Sequence, residues 1–342
     1  MRQAFGQQFD IAAGYLNTAS VGIPPVAVAD AVGEAVNRWR RGQDASDAFD
    51  VHVSTARSAF AQLVGVPTSS VTMGAGAAQL VGLVAASVPD GSRVLVAGGD
   101  FTSVTFPFAA QAHRGVTLTE VALGELVSRV DGHDLVAVSV VQSADGAVLD
   151  LAGLRAAAEA AGARVLLDVS QAAGWLPLEL GWADWVVGAA YKWLLSPRGA
   201  AWLASAPDAL DLIVPNSANW FGGEDPWTSI YGLPLRLADD ARRLDISPVW
   251  FAQLGAAASL SWLATLDLAA VRAHCVGLAN GLLAGLGLPQ GDSSIVSLAV
   301  PGAAERLRAA GAVFAQRDGR VRLAFHLYNT EEDVDLALAA MS

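Results

Sequence analysis

Apolar residues recur along the chain with two different spacings. A spacing of three to four residues predicts helices, among them one over Val26–Trp39 and one over about 50–64. Short apolar runs bounded by glycine, proline or polar turn residues predict buried strands, as at Arg93–Ala97 and at 135–141. The two patterns alternate from about residue 70 to residue 205, which indicates a parallel, doubly wound α/β sheet with helices packed on it.

The pattern changes after this alternation. The loop over 216–232 is rich in aromatic residues and glycine, and loops of this length are usually functional or held at an interface. Two long helices are predicted next, the second over about 268–286. Short strands and helices alternate from about residue 290, and Thr330 with Asp333 forms a capping box that introduces the last helix. These elements predict a second, smaller α+β lobe.

Two charged residues stand at the ends of apolar runs. The run over 165–167 stops at Asp168, and the run over 185–190 leads into Tyr191 and Lys192. Because the carboxyl ends of strands line the ligand crevice of an open α/β sheet, this pattern brings an acid and an amine to one crevice. Pyridoxal phosphate (PLP) uses both, since it is held on a lysine and needs a carboxylate to keep its ring nitrogen protonated. Taken singly, Asp168 as a helix cap and Lys192 as a surface lysine are the alternatives.

Two further features lie at predicted strand ends. The turn Gly74-Ala75-Gly76-Ala77 separates a short strand from a helix, so its unpaired amides and the helix dipole suit an anion. Small residues are equally expected where a helix packs closely on a sheet. Phe101 follows the strand Arg93–Ala97, where it either covers a flat ligand ring or belongs to the core.

Composition narrows the classes of partner. The 342 residues carry a net charge of -12 without any basic run, so neither nucleic acid nor an anionic membrane is expected as a partner. The single cysteine, Cys275, allows no disulfide framework, and the five histidines show no metal-ligand spacing. The N-terminus lacks the apolar core of a signal peptide, and no apolar run reaches the ~18 residues of a membrane span. We therefore expect a cytoplasmic protein.

Three segments carry a resemblance to a known family. They are Asp168-Val169-Ser170-Gln171, then Tyr191-Lys192-Trp193-Leu194 with Pro197-Arg198-Gly199, and Val321-Arg322-Leu323 through Tyr328-Asn329-Thr330. With them the chain resembles, from about Tyr15 to its C-terminus, the class V aminotransferases of PLP-dependent fold type I. That group includes cysteine desulfurases and isopenicillin N epimerase-like proteins.

The resemblance implies an organisation of the chain into three parts. Residues 21–245 are expected to form a large PLP-binding domain with a mostly parallel seven-stranded sheet flanked by helices. Residues 246–342 are expected to form a small C-terminal α+β domain, and residues 1–20 an N-terminal segment that lines the active site. The family also implies a homodimer with its sites at the subunit interface, in which the loop over 219–231 crosses to the other subunit or closes over its own.

The resemblance also implies roles for single residues. Lys192 forms the Schiff base with PLP and moves the substrate's Cα proton, and Asp168 pairs with the ring nitrogen. Gln171 bonds the phenolic oxygen. The remaining implied cofactor contacts are ring stacking by Phe101, a position beside the ring for Ser143, and phosphate binding by the amides of Gly74, Ala75, Gly76 and Ala77. Arg322 is expected to bind the substrate's α-carboxylate with its two-pronged donor set, and Asn17 to line the same pocket.

The sequence departs from the family pattern in three places. Gly76 and Ala189 stand where relatives often offer Thr and Ser, so two hydroxyls for the phosphate are missing. Tyr191 stands where desulfurases have His, and we predict that its hydroxyl reaches the phosphate instead. The segment over 311–320 holds no thiol where desulfurases carry their nucleophilic cysteine, which disfavours a persulfide mechanism.

These features predict a PLP-dependent enzyme acting on a small-molecule α-amino acid through Schiff-base exchange and Cα deprotonation. Transamination is the favoured outcome. The alternatives are a β-eliminating C–S lyase or an epimerase of the same family without a catalytic cysteine, and, outside catalysis, a PLP-binding sensor or scaffold.

Overall fold

The structure is a computed structural model of the chain, and it describes residues 1–341. Within that range the strands, in chain order, are β1 Arg2–Ala4, β2 Gln7–Phe9, β3 Val71–Gly74, β4 Arg93–Ala97, β5 Thr117–Val121, β6 Leu135–Ser139, β7 Arg164–Asp168, β8 Trp185–Ala189, β9 Ala201–Ser205, β10 Ile295–Leu298, β11 Ala315–Arg317 and β12 Arg320–Ala324. The helices are α1 Val26–Trp39, α2 Asp50–Val64, α3 Ala77–Ser87, α4 Thr102–Ala109, α5 Leu151–Ala161, α6 Pro207–Leu210, α7 Trp250–Leu263, α8 Leu268–Gly285, α9 Ala303–Ala309 and α10 Glu331–Met341.

A seven-stranded sheet forms the centre of the molecule. Its strand order is β3-β9-β8-β7-β6-β4-β5, and β9 alone runs antiparallel to its neighbours. Successive side chains of a strand point to opposite faces, and the apolar strands therefore feed two separate cores. One face packs against α2, α5 and α7, and the other against α3 and α4. This arrangement confirms the predicted mostly parallel, seven-stranded sheet flanked by helices.

A smaller antiparallel sheet of order β10-β12-β11 packs against α8, α9 and α10. The N-terminal segment joins it: the amide of Leu16 donates to Val313 O at 2.8 Å, and the amide of Ala324 donates to Leu16 O at 2.9 Å. Helix α8 has the length and hydropathy of a membrane span, but its buried residues pack in the two cores: Val271 and Cys275 in that of the large lobe, and Leu278, Ala279 and Leu282 in that of the small lobe.

Helix α7 lies on the large lobe. It contacts α1 and α2, where Trp39 and Phe251 pack edge to face, and Gly255 lies close to Val32 and Pro197. The small lobe's own sheet and core begin after it, with α8. The predicted division of the chain at residues 245 and 246 thus assigns to the small domain a helix whose packing partners belong to the large one.

Candidate active site

Two adjoining cavities open at the carboxyl end of the large sheet. The inner cavity, of about 320 Å³, is lined by Ala75, Gly76, Ala77, Ala78, Phe101, Thr102, Ser103, Ser139, Ser143, Asp168, Ser170, Gln171, Ala189, Tyr191, Lys192 and Arg198. The outer cavity, of about 550 Å³, is lined by Ala19, Ser20, Val21, Gly22, Pro24, Val28, Ala29, Val32, Phe101, Ser143, Tyr191, Lys192, Ser196, Pro197, Arg198 and Arg317. Lys192 lines both cavities, so a group bound in the inner cavity and one bound in the outer cavity would meet at its side chain.

Lys192 lies in the turn that follows β8 and is 6% exposed. Burial lowers its pKa from 10.5 to about 8, the positive charges of Arg322, Arg317 and Arg198 act in the same direction, and the Asp168 carboxylate opposes them. The N-terminal segment closes tightly over this turn, because a Cβ at Gly22 would lie 1.9 Å from the Lys192 carbonyl oxygen. Lys192 is also the only lysine in the chain.

Asp168 is the last residue of β7 and is buried. One carboxylate oxygen, Oδ1, accepts a hydrogen bond from the Ser170 amide at 2.7 Å. Burial raises the pKa of Asp168, while Ser170 and the charge of Lys192 lower it. The carboxylate lines the inner cavity together with Lys192, so the predicted acid and amine do share one crevice.

Gln171 and Ser143 are linked in a hydrogen-bond network beside Lys192. The Gln171 side-chain oxygen accepts from Trp193 Nε1 at 2.7 Å, and its Nε2 donates to Ala19 O and to Ser143 Oγ, each at 3.0 Å. Ser143 Oγ also accepts from Arg322 Nη1 at 3.1 Å. With two donors pointing at its oxygen, the Ser143 hydroxyl keeps its own proton for an acceptor in the cavity.

Arg322 lies in the central strand of the small sheet, β12, and is 1% exposed. Its neighbours Val321 and Leu323 fill the small-lobe core, and the arginine side chain instead reaches the N-terminal segment, where Nη2 donates to Ser20 Oγ at 2.8 Å. Nη1 donates to the carbonyl of Ser143, and Nε is buried without a partner. Burial lowers the pKa of Arg322 to about 10, and the charge of Arg317 lowers it further.

The start of α3 borders the inner cavity. Gly76 precedes the helix, and the Ala75 amide donates to Gln79 Oε1 at 3.0 Å. The first amides of a helix have no partner within it, so those of Ala77 and Ala78 face an anion site. A Cβ at Gly74 would lie 2.8 Å from Leu80, so this glycine serves helix packing, and it does not line the cavity.

Phe101 is held at the end of β4 by a buried carboxylate. Asp100 accepts from the amide of Phe101 at 2.6 Å and from the amide and hydroxyl of Ser139 at 2.8 and 2.6 Å. The Phe101 ring is 44% exposed, and Lys192 Nζ lies 5.1 Å from its centre. Phe101 is therefore a wall of both cavities and not part of the core.

The other predicted residues are placed as follows. Tyr191 lines both cavities, with the Arg198 guanidinium 5.0 Å from its ring centre. Asn17 lines neither: its backbone bridges to Ala324, and its side-chain oxygen is buried without a partner. Ser20, Arg198 and Arg317 line the outer cavity, although the sequence assigned them no role.

The buried lysine and carboxylate at the carboxyl edge of this sheet define a PLP-dependent protein of fold type I. The family described as aminotransferase class-V matches residues 15–297, and the chain belongs to that family. Two curated relatives are an uncharacterised aminotransferase, YcbU, of Bacillus subtilis, 26% identical over 307 residues, and isopenicillin N epimerase of Streptomyces clavuligerus, 29% identical over 331 residues. The matches cover 83% and 82% of this chain, and 81% of each relative.

Solved structures share the fold at low sequence identity. A cysteine desulfurase from Thermococcus onnurineus superimposes with a TM-score of 0.84 at 21% identity, covering 96% of this chain and 94% of that one. The cystine C–S lyase C-DES, in complex with cysteine persulfide, has a TM-score of 0.84 at 20% identity, covering 96% and 97%. These likenesses show the fold.

The inner cavity fits the cofactor of this family, pyridoxal 5'-phosphate. It combines an amine of lowered pKa, a buried carboxylate and free helix amides within about 320 Å³. Lys192 would hold the group covalently, Asp168 would face its ring nitrogen and the start of α3 its phosphate. These individual contacts, like that of Gln171 with the phenolic oxygen, stay predictions.

Proposed function

We propose that the protein is a PLP-dependent aminotransferase acting on an α-amino acid. The observation that carries the proposal is a single buried amine, Lys192, whose pKa of about 8 leaves part of it neutral near physiological pH. Among the side chains that line the two cavities there is no histidine, cysteine or glutamate. Proton transfer at the substrate's Cα therefore rests on Lys192.

The chain's own residues divide the chemistry among them. Bound PLP supplies a carbon that takes the amino group and a ring that accepts electrons from Cα. Asp168 would hold the proton on the ring nitrogen, because a carboxylate there favours the charged form of the ring. Lys192 Nζ would take the Cα proton and give it, on the same face, to the carbon that keeps the amino group. Arg322 orients the substrate through its α-carboxylate, and the hydroxyl of Ser143 donates into the cavity.

The cysteine of the chain takes no part in this chemistry. Cys275 is fully buried on α8, burial raises its pKa, and its sulfur lies 3.9 Å from His326 Nδ1. Burial also lowers the pKa of His326, to about 3. A thiol held protonated where α8 meets the core of the large lobe is not available as a nucleophile.

Epimerisation is the second candidate, favoured by the 29% identical epimerase among the relatives. Return of a proton on the face opposite the lysine needs a second acid. Tyr191, whose ring lies 5.6 Å from Lys192 Nζ, is the residue of the cavities that offers a phenol for this step.

One experiment separates the outcomes. The holoenzyme is incubated with single amino acids, first without and then with a 2-oxo acid, and pyridoxamine phosphate, ammonia, pyruvate and the Cα configuration are measured. Accumulation of pyridoxamine phosphate without ammonia or pyruvate supports transamination. Release of ammonia and pyruvate, or inversion at Cα without amine transfer, would contradict it.

A labelling experiment tests the covalent step alone. Borohydride reduction of the holoenzyme is expected to leave one pyridoxyl group per chain on Lys192, located by peptide mass spectrometry, and the Lys192→Ala variant is expected to carry none and to lose turnover. A protein that takes no label, or an active Lys192→Ala variant, would overturn the enzymatic proposal in favour of a sensor or scaffold.

We further propose a cytoplasmic homodimer. The loop over 219–231 ends at Tyr231, and the chain continues through Leu233 and Leu235. These three side chains are 87%, 90% and 64% exposed, and apolar side chains that are exposed together favour a contact with another protein. A monomeric mass at full activity, measured by light scattering, would remove the dimer.

A further inference from the structure

The outer cavity carries more positive charge than the chemistry above uses. Arg198 and Arg317 line it beside Lys192, and both add to the field that lowers the Lys192 pKa. Within residues 1–341 nine of the other eighteen arginines form ion pairs with carboxylates, and neither Arg198 nor Arg317 does. In a chain of net charge -12, two unpaired cations in one cavity indicate an anionic ligand.

The donor groups of these two arginines are largely free. Arg198 rests on the ring of Tyr191 and makes no hydrogen bond with residues of the described range. Arg317, at the end of β11, donates one bond, from Nη1 to Gln316 O at 2.7 Å. A guanidinium has five N–H donors in a planar fork suited to a carboxylate, so each side chain keeps most of its binding capacity.

An apolar strip lines the same cavity. It is formed by the N-terminal segment and α1, through Val21, Pro24, Val28, Ala29 and Val32. Arg322, which is the predicted site for the α-carboxylate, is buried on the other side of Ser143 and Ser20. The cavity therefore offers two cations and an apolar wall beside the reacting lysine, and Arg322, which lines neither cavity, contacts its wall through Ser143 and Ser20.

We propose that Arg198 and Arg317 bind a carboxylate at the end of the substrate's side chain, so that the substrates are dicarboxylic amino acids. The inference rests on the proposed function for the α-amino group and adds the substrate class. Methylene groups of the side chain pack on the apolar strip, and the distal carboxylate replaces water on the two guanidinium groups.

The test compares acids with their neutral counterparts in the holoenzyme. Values of kcat/KM are measured for aspartate against asparagine, glutamate against glutamine, and 2-aminoadipate against norleucine. We expect the best acid to exceed its neutral counterpart roughly 10- to 100-fold, as for a charge-assisted pair of hydrogen bonds. Because both arginines are exposed, the preference should shrink as salt rises from about 0.02 to 0.5 M.

Three variants test which side chains produce the preference for acidic substrates: Arg317→Gln, Arg198→Gln and the double variant. Each single variant is expected to lose part of the acid preference and the double variant nearly all of it. The preference is taken as the ratio of kcat/KM for an acid to kcat/KM for its neutral counterpart, so that a general effect on the Lys192 amine cancels. Arg320→Gln is the matched control, because Arg320 lies three residues further along the same hairpin, bonds Ser297 and lines neither cavity. An unaltered preference in the double variant, or no preference in the wild type, would overturn the proposal.

Two measurements keep this proposal separate from the proposed function. Binding of glutarate, followed by calorimetry on the holoenzyme, needs no turnover and is expected to weaken in Arg317→Gln but not in Arg320→Gln. If glutarate binding depends on Arg317 while no amine is transferred, the anion site stands and the aminotransferase proposal falls. If Arg198→Gln instead lowers PLP affinity and leaves the acid preference intact, Arg198 belongs to the phosphate and the paired site is wrong.

Discussion

Two groups of buried charges in this protein are built in opposite ways. On the large lobe, Arg57 and Asp245 are 5% and 1% exposed and meet at 2.5 and 3.1 Å. Backbone groups form further hydrogen bonds with the pair: Arg57 donates to Val71 O, and Asp245 accepts from the Met73 amide at 2.7 Å. Every charge in this group has its counterpart inside the protein.

The active-site group lacks that balance. Lys192 and Arg322 are as deeply buried, but the one carboxylate that shares the cavity is Asp168, and Arg322 contacts only neutral partners, with Nε unbonded. Uncompensated burial is costly, and in the proposed function the cofactor and the substrate carboxylate would supply the missing negative charges. The comparison separates charges that are paired within the protein and stabilise the fold from charges that have no internal partner and are proposed to bind cofactor and substrate.

Breaking the structural pair should produce the largest loss of stability. Asp245→Asn leaves Arg57 buried without its counter-charge, and we expect the free energy of unfolding to fall by roughly 3–5 kcal/mol. Urea denaturation of the cofactor-free protein measures it. The double variant Arg57→Met with Asp245→Leu is expected to recover most of the loss, and a cost below about 1 kcal/mol for Asp245→Asn would contradict the comparison.

Removing the active-site arginine should affect catalysis and not folding. We expect Arg322→Gln to lower kcat/KM roughly 10²- to 10³-fold, because a buried charged contact with the substrate is lost. The free energy of unfolding should stay equal or rise, since no internal carboxylate loses its partner. Arg322→Lys keeps the charge without the two-pronged donor set and should recover only part of the rate. A stability loss like that of Asp245→Asn would place Arg322 in the structural group.

Replacing the active-site lysine should stabilise the cofactor-free protein. The pKa of Lys192 is about 8 in the folded protein and 10.5 for an unperturbed lysine, which stands for the unfolded chain. Below pH 8 the side chain is therefore charged in both states, and the folded state is destabilised by the full free energy of burying the ammonium. We expect Lys192→Met to raise the free energy of unfolding there by roughly 1–3 kcal/mol.

The pH dependence of that difference has a definite sign. Between pH 8 and 10.5 the unfolded lysine still binds a proton that the folded one has released, so wild-type stability rises with pH and the advantage of Lys192→Met shrinks. Urea titrations at several pH values test it. A variant less stable than wild type at pH 7, or a difference independent of pH, would show that Lys192 is not strained by burial.

The smallest effect is expected from removing an uncharged group of the site, the hydroxyl of Tyr191. Tyr191→Phe removes a hydroxyl that has no protein partner in the described range, and we expect PLP affinity to fall about fivefold, in line with one hydrogen bond. Fluorescence titration of the cofactor-free protein measures it. Unchanged affinity in Tyr191→Phe would refute the predicted phosphate contact.

Much of this architecture is readable from local sequence pattern. The bounds predicted for α1 and α2 coincide with the structure because amphipathic spacing and flanking turns set them locally. One half of the predicted capping box is present, with the Thr330 amide donating to Asp333 Oδ2 at 3.0 Å, while the Asp333 amide bonds the backbone carbonyl of Thr330 and not its hydroxyl. The same carboxylate also binds Arg2 at 2.5 Å and the Gly14 amide at 2.6 Å, and no local signal announces contacts over such distances along the chain.

Several strands and two residues of the outer cavity could not be predicted from the sequence, because they depend on tertiary contacts. The edge strand β5 is short and half exposed, and the hairpin of β1 and β2 is shorter still, so neither has a pattern that distinguishes it from a loop. Asp168 and Lys192 were recognisable because each ends an apolar run. Arg198 and Arg317 end no such run, and their meeting in one cavity follows only from the packing of the small lobe against the large sheet.

The solitary lysine gives the protein one further property. A lysine-specific endoprotease has a single site in this sequence and can yield only residues 1–192 and 193–342. In the native fold that bond lies in a buried turn beneath Gly22, and a pyridoxyl-modified side chain no longer fits the protease. One cut on a gel therefore reports how often the turn opens, and its absence after borohydride reduction and denaturation counts the chains that had bound their cofactor covalently.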